Sequence, residues 1–141
     1  MTETNSSSSI IHTTSIPVRW GDFDRFGHIT NSAYIELAQE ARMAFAQAEF
    51  VGRGYALPTV FVRHISADYL QPVLPSTKEV VIDTQVVEIG NTSFTTRQEI
   101  KDAEGQLCCV VEVVQVAVDL MTQRPRSITA QELKVLTRAE N

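Results

Sequence analysis

The 141-residue sequence has only two cysteines, and they are neighbours, Cys108 and Cys109. They lie in an apolar run that predicts a strand, where adjacent side chains point to opposite faces, so the pair forms no ordinary structural disulfide. The cysteines and the three histidines also lack the spacing of a zinc site. The sequence therefore favours buried thiols in a reducing compartment, and it predicts no metal and no cofactor.

Charge and hydropathy exclude two further classes of protein. Twelve Lys and Arg residues against seventeen Asp and Glu give a net charge of -5, and basic runs are missing, so nucleic acid is not an expected partner. The longest apolar run, residues 107–120, contains Glu112 and Gln115 and is too short for a membrane span of about 20 apolar residues. The sequence also lacks a phosphate-binding glycine-rich loop and a Gly-x-Ser-x-Gly motif.

Length and composition indicate one globular domain. With 43% apolar and 21% charged residues, a chain of this size can bury a core without disulfides or metal. Residues 1–9 are polar and serine-rich and lack the charged-then-apolar order of a secretory signal. We therefore expect a disordered tail over residues 1–11, before a domain over residues 12–141. A cytoplasmic location is the resulting expectation.

The remaining pattern predicts one long helix and about five strands, an α+β fold. Residues 31–50 contain no Gly or Pro and repeat apolar residues every three or four positions, with Thr30, Asn31 or Ser32 as the N-cap. Strand patterns occupy residues 13–20, 59–70, 79–89, 92–101 and 106–119, with hairpin turns at 90–91 and 102–105. The last strand is apolar on both faces, which one helix does not cover. We therefore expect self-association as a dimer or tetramer.

The turn between the first strand and the helix concentrates polar groups. Within ten residues it carries Asp22, Asp24, Arg25, His28 and Asn31. The free N–H groups and the positive end of a helix dipole lie beside this turn, an arrangement that stabilises a developing oxyanion next to a carboxylate. Each residue also has a structural interpretation, because Gly-Asp pairs start turns and Asp or Asn caps helices.

Taken together, residues 20–34 resemble the opening signature of a known enzyme family. The family is the hotdog-fold acyl-CoA thioesterases of the 4-hydroxybenzoyl-CoA thioesterase-like branch, and the matching residues are Asp22, Asp24, Gly27, His28, Asn31 and Tyr34. The resemblance continues through residues 40–42 in the helix and residues 68–72 in the following strand. It therefore extends over most of the chain.

This resemblance implies a long central helix wrapped by a curved antiparallel sheet of about five strands, with active sites between paired subunits. It assigns the catalytic carboxylate to Asp24, and to Asn31 the backbone N–H that polarises the thioester carbonyl. A coenzyme A thiolate is a good leaving group, so one carboxylate and an oxyanion site suffice for hydrolysis. Asp24 would act as a general base on water, the role we favour, or as a nucleophile that forms a transient anhydride.

Four further residues are expected to bind the substrate. His28 would hold the loop or the thioester carbonyl, and Tyr34 would line the acyl pocket or pack beneath it. Aromatic residues such as Phe61 would set the depth of that pocket, and an arginine such as Arg63 would meet the phosphates of coenzyme A. Thioesters on an acyl carrier protein stay open as substrates, because they need fewer phosphate contacts.

Two alternative functions are compatible with the same residues. A hydratase or dehydratase of the same fold would pair His28 with Glu36 or Glu40 across the site. A non-catalytic module would bind acyl thioesters without turnover. The Gly-Asp-x-Asp sequence favours hydrolysis over the first alternative, and the presence of Asp24 favours catalysis over the second.

Overall fold

The computed structural model describes residues 11–137. The predicted tail, residues 1–11, lies outside this range except for Ile11, which is exposed. In chain order the elements are β1 (His12–Pro17), α1 (Asn31–Glu49), β2 (Val60–Tyr69), β3 (Glu79–Ile89), β4 (Ser93–Lys101), β5 (Leu107–Asp119), β6 (Arg124–Pro125) and α2 (Ala130–Thr137), with short 3-10 helices at Trp20–Asp22 and Val51–Arg53. Among these helices, none has the length and apolar character needed to cross a lipid bilayer.

Five strands form an antiparallel sheet in the order β1-β3-β4-β5-β2, and the two-residue β6 pairs with the end of β5. The pairing shifts register between Val62 and His64 in β2, and again between Val86 and Glu88 in β3. Such bulges bend a strand and increase its twist, so they help to curve the sheet. The sheet wraps around α1, and the predicted hotdog architecture is confirmed.

The helix α1 forms where the periodicity predicts it. Thr30 is the N-cap, and its Oγ1 accepts the N–H of Ala33 at 3.3 Å. Leu37, Ala38 and Ala41 are completely buried on the face that meets the sheet. These three residues belong to a core that also contains valines of the strands and the free, buried Cys108 and Cys109. The prediction of buried thiols is therefore confirmed.

A buried polar network lies between α1 and the middle of the sheet. The guanidinium of Arg42 donates from Nη1 to Oε1 of Gln98 at 3.0 Å. Nε2 of Gln98 donates in turn to the carbonyl of Ala38 at 2.9 Å and to Oγ1 of Thr84 at 3.0 Å. Arg42 is 8% exposed, and its burial lowers the pKa of the guanidinium. The network fixes one position of the helix over β3 and β4.

One predicted boundary and the predicted number of helices are wrong. The first strand ends at Pro17 instead of reaching residue 20, and a 3-10 helix occupies Trp20–Asp22. The ring of Pro17 carries no N–H for a ladder bond, which suits it to a strand end. The expectation of a single helix is also incomplete, because α2 follows β6 and buries Val135 and Leu136 against a second apolar cluster.

The exposed apolar surface is not where the sequence places it. Both faces of β5 are largely buried within one chain, and only Val114 among its valines is half-buried. The edge strand β2 is exposed instead. Its large apolar side chains and the residue after it are solvent-exposed: Phe61, Val62, Ile65, Tyr69 and Leu70.

Candidate active site

The base of the loop before α1 is held by Asp22. Its carboxylate is 5% exposed and accepts the Arg19 N–H on Oδ2 at 2.8 Å and Nη2 of Arg19 on Oδ1 at 3.0 Å. The Asp22 carbonyl accepts the N–H of Thr30 at 2.9 Å. Asp22 therefore joins the end of the first strand to the N-cap of α1, and its role in this geometry is structural.

Asp24 forms a tight turn with the four residues after it. Its Oδ1 accepts the N–H of Phe26 at 2.8 Å and of His28 at 3.1 Å, and its own N–H donates to the His28 carbonyl at 2.8 Å. Gly27 makes this turn possible with a φ of 79°, which glycine adopts at little cost. A Cβ on Gly27 would also approach the ring of Pro75 to 3.3 Å.

The electrostatics of the turn keep Asp24 ionised. The backbone N–H of His28, with that of Phe26, lowers the pKa of the carboxyl, and this outweighs the opposite effect of partial burial. Within residues 11–137, no hydrogen bond reaches the second oxygen, Oδ2. The carboxylate thus has one oxygen fixed by the backbone and one available to water or a ligand.

The first turn of α1 supplies hydrogen-bond donors beside this loop. In the described part of the chain, the N–H groups of Asn31 and Ser32 have no protein acceptor, as expected at a helix start. Asn31 lines a cavity of about 240 Å³ together with His28, Tyr34 and Tyr69. An anionic oxygen in this cavity would lie near the positive end of the helix dipole.

Asp24 itself lines a larger cavity on the other side of the loop. This depression of about 570 Å³ has apolar walls from Val18 and Phe23 and two cationic residues, Arg25 and Lys78. Trp20 stands at its edge and is 93% exposed. The loop therefore contributes to two cavities: Asp24 lines one, and His28 and Asn31 line the other.

The structure brings four of the predicted site residues together and separates two. Asp24, His28 and Asn31 belong to one loop, and Tyr34 packs beneath it with its buried hydroxyl accepting the N–H of Val73 at 3.2 Å. Phe61 and Arg63 lie near the opposite end of β2. Because Tyr69 marks the end of β2 at the site, Phe61 is roughly 26 Å away along an extended strand.

Several other charged residues form ion pairs. Arg97 pairs with Glu99 at 3.1 Å, and Arg126 pairs with Glu132 at 2.8 Å. Glu36, one of the two glutamates of the hydratase alternative, pairs with Arg19 at 3.3 Å.

Two further residues of the cavities differ in how far the sequence indicates them. Tyr69 is one of the aromatic residues that the sequence offers for the acyl pocket, and it lies in the stretch of residues 68–72 that carries the family resemblance. Lys78 had no signal, because it reaches the loop only through tertiary pairing of the Val18 N–H with the Lys78 carbonyl at 2.9 Å.

A comparison with protein families identifies the group to which this geometry belongs. Residues 18–135 match the model of the thioesterase-like superfamily, which covers nearly all of the described chain. The chain belongs to the thioesterase-like superfamily. This superfamily member is a thioester hydrolase, and the resemblance drawn from its sequence is confirmed.

Individual relatives of this thioesterase-like protein share its sequence or its fold. YsmA, an uncharacterised protein of Bacillus subtilis, is 28% identical over 122 residues, which are 86% of this chain and 82% of YsmA. A structure from Bacillus stearothermophilus, described as a predicted thioesterase, has a TM-score of 0.81 at 24% identity and covers 92% of this chain and 96% of its own. A Thermus thermophilus thioesterase complexed with coenzyme A and Zn has a TM-score of 0.77 at 21% identity. The match covers 89% of this chain and 91% of the Thermus thermophilus chain.

The donor groups of this thioesterase-like protein are those of acid-base chemistry. Among residues 11–137, there is no group of three or more His, Cys, Asp or Glu side chains that could hold a metal ion. The groups beside the loop are a carboxylate, backbone N–H donors and phenol hydroxyls. Such groups suit the addition of water to a carbonyl carbon.

Proposed function

We propose that this protein hydrolyses acyl-CoA thioesters to a free carboxylic acid and coenzyme A, with Asp24 as the catalytic carboxylate. The observation that carries the proposal is the placement of Asp24: one oxygen is fixed by two backbone N–H groups, and the other is free, in the loop that leads to the start of α1. The turn of Asp24 ends at His28, three residues before the helix start whose N–H groups lack an acceptor among residues 11–137.

The proposed reaction has two chemical steps. Asp24 accepts a proton from a water molecule while the oxygen of that water attacks the thioester carbonyl carbon. The N–H of Asn31 stabilises the oxyanion that forms. The tetrahedral intermediate then collapses, the carbon–sulfur bond breaks, and the thiolate leaves with the electron pair. No acid is needed at sulfur, because a thiol of pKa about 8.5 is a good leaving group near neutral pH. His28 holds Asp24 through its backbone N–H.

The alternative role of Asp24, a nucleophile that forms an anhydride, makes a different isotopic prediction. Turnover in ¹⁸O-labelled water would place the label in the Asp24 carboxyl when water attacks an anhydride at its protein carbonyl. A general base leaves the protein unlabelled. We expect no label in the Asp24 peptide by mass spectrometry after many turnovers, and label there would establish the anhydride.

We propose further that the active form is an oligomer paired through β2. This strand lies at the edge of the sheet and exposes Phe61, Val62 and Ile65, which favours pairing with a second chain. A two-fold, antiparallel pair of β2 strands would bring the Phe61 end of one copy beside the Tyr69 end of the other. Phe61 and Arg63 of a second copy would then complete the site.

Coenzyme A is the first carrier to test, because the Thermus thermophilus protein of the same fold was crystallised with it. Arg25 and Lys78 beside Asp24 provide positive charge for an anionic ligand on a protein whose net charge is -5. A carrier-protein thioester is the second candidate. It would be favoured if acyl-CoA substrates showed much higher KM values than the same acyl group on the carrier protein.

The decisive experiment measures thiol release from short, long and aromatic acyl-CoA substrates. We expect turnover of at least one substrate and its loss in the Asp24→Asn variant. Binding of acyl-CoA without thiol release from any substrate would instead identify a non-catalytic binding module. Because Trp20 is the single tryptophan and lines the Asp24 cavity, quenching of its fluorescence reports binding independently of turnover.

A further inference from the structure

Tyr69 places a hydroxyl group at the start of α1. It is the last residue of β2 and lies opposite the buried Cys109, on the face of the sheet that α1 covers. Its ring lies 5.4 Å from the Tyr34 ring, centroid to centroid, at an angle of 58°. Its Oη lies 3.4 Å from the carbonyl oxygen of Asn31. The phenol is therefore held beside the residue that supplies the proposed oxyanion N–H.

The hydroxyls of Tyr69 and Tyr34 differ in how firmly they are bound. Tyr34 is 4% exposed, and its oxygen accepts the N–H of Val73 at 3.2 Å. Tyr69 is 46% exposed, and its only hydrogen bond within residues 11–137 is long for an O–H donor. The O–H of Tyr69 can turn away from Asn31 at little cost and point into the cavity that both residues line.

Tyr69 is also in the right ionisation state to donate. Partial burial raises the pKa of its phenol above the ordinary value of 10, with Cys109 adding to the effect. The hydroxyl therefore carries its proton at neutral pH. A neutral phenol beside a helix N-terminus is a donor that adds no charge to the cavity.

We propose that Tyr69 is a catalytic residue whose hydroxyl donates a hydrogen bond to the carbonyl oxygen of the thioester, as a second donor beside the N–H of Asn31. This proposal rests on the proposed hydrolysis and names a second group for its oxyanion site. No proton is transferred in this step. The bond strengthens as negative charge develops on the carbonyl oxygen, so it lowers the barrier more than it tightens substrate binding.

The kinetic test compares two tyrosine variants. Tyr69→Phe keeps the ring that packs on Tyr34 and removes only the hydroxyl, and it should lower kcat by roughly 10²–10³-fold with little change in KM, as loss of one oxyanion donor does. Tyr55→Phe is the control, because Tyr55 packs with a separate apolar cluster and should leave kcat unchanged. A kcat for Tyr69→Phe within about threefold of the wild type would overturn the proposal.

The spectroscopic test detects the hydrogen bond itself. Benzoyl-CoA labelled with ¹³C at the carbonyl is bound to Asp24→Asn, which prevents turnover, and its carbonyl stretching band is recorded with and without the additional change Tyr69→Phe. Hydrogen bonding lowers this frequency, so loss of the hydroxyl should raise it, whereas a merely structural role for Tyr69 would leave the band in place.

The outcomes separate the two proposals. Wild-type protein that binds benzoyl-CoA but hydrolyses no thioester would contradict the proposed function, while the carbonyl band would still report on Tyr69. An unchanged band in active protein would refute the Tyr69 assignment alone. Failure of benzoyl-CoA and every other acyl-CoA to bind would overturn both.

Discussion

Asp24 and Asp102 make the same set of hydrogen bonds in two separate turns. In each turn Oδ1 accepts the N–H groups two and four residues later, which belong to Phe26 and His28 in one case and to Glu104 and Gln106 in the other. In each turn the N–H of the aspartate also bonds the carbonyl four residues later. Both turns carry a glycine with positive φ three residues after the aspartate.

The two turns lead to different elements of the fold. The Asp102 turn joins β4 to β5 and ends in an ordinary hairpin, whereas the Asp24 turn leads within three residues to the start of α1. Turn formation therefore explains the contacts of both carboxylates, and only position distinguishes the one with a proposed catalytic role. This pairing supplies a control for mutagenesis.

The variants Asp24→Asn and Asp102→Asn should have similar effects on stability and different effects on activity. Asparagine keeps the Oδ1 acceptor of the turn and removes the proton acceptor needed for catalysis. We expect thiol release to fall roughly 10²–10⁴-fold for Asp24→Asn and to stay near wild type for Asp102→Asn. Steady-state assays with a melting curve for each variant test this. Equal activities of the two variants would show that Asp24 only shapes its turn.

The pH dependence of activity follows from the lowered pKa of Asp24. The carboxylate is the active form, so kcat/KM should stay level from pH 7 to 5 and fall only below the ordinary aspartate value of 3.8. Its stabilising hydrogen bonds are likewise complete above the unfolded pKa and are lost as the pH falls through the folded pKa. A pH–rate profile with parallel unfolding curves checks both effects. An acid limb above pH 5 would contradict the assignment.

Pairing through β2 predicts the effect of one charged substitution. Ile65→Glu places a carboxylate on the exposed edge strand and should convert the assembly to a 15.7 kDa monomer, with a loss of turnover because the second copy completes the site. Val87→Glu is the control, since Val87 is similarly exposed on the interior strand β3. Light scattering at micromolar concentration measures both. A monomeric wild type would refute the pairing.

The network around Arg42 predicts an unequal effect of two glutamine substitutions. Gln98→Leu leaves the buried guanidinium without its side-chain acceptor and should lower the free energy of unfolding by about 2–4 kcal/mol. Gln115 is also buried, but among residues 11–137 its side chain has no hydrogen bond to a charged side chain. Gln115→Leu should therefore lower the free energy of unfolding by less than about 1 kcal/mol. Urea denaturation compares them. Equal losses would mean that Gln98 contributes packing alone.

The elements with strong local signals were predictable from the sequence. The helix expected over residues 31–50 is α1, Asn31–Glu49, because its apolar period and its N-cap Thr30 are both local features. The second helix, α2, also has a local signal in the sequence, at its N-terminus. Thr129 and Glu132 form a reciprocal capping box, with Glu132 accepting the Thr129 N–H at 3.0 Å and Thr129 accepting the Glu132 N–H at 3.1 Å.

The candidate site was predictable only where it comes from one stretch of chain. Asp24, His28 and Asn31 lie within eight residues and could be grouped from the sequence, whereas Lys78 joins them through the pairing of β1 with β3. Tyr69 arrives through the pairing of β2 with β5, whose register contains a bulge. Neither register follows from periodicity, because one extra residue reverses which side chains face the helix.

The turn that shapes Asp24 begins and ends within five residues, since its hydrogen bonds join only Asp24, Phe26, Gly27 and His28. The proposed catalytic carboxylate is thus mounted on a self-supporting piece of backbone. The walls of its cavity come from other parts of the chain, including Trp20, Pro75 and Lys78. Those walls can be exchanged to admit a new acyl group while the chemistry stays intact, so a change of substrate in this scaffold requires no redesign of its catalytic turn.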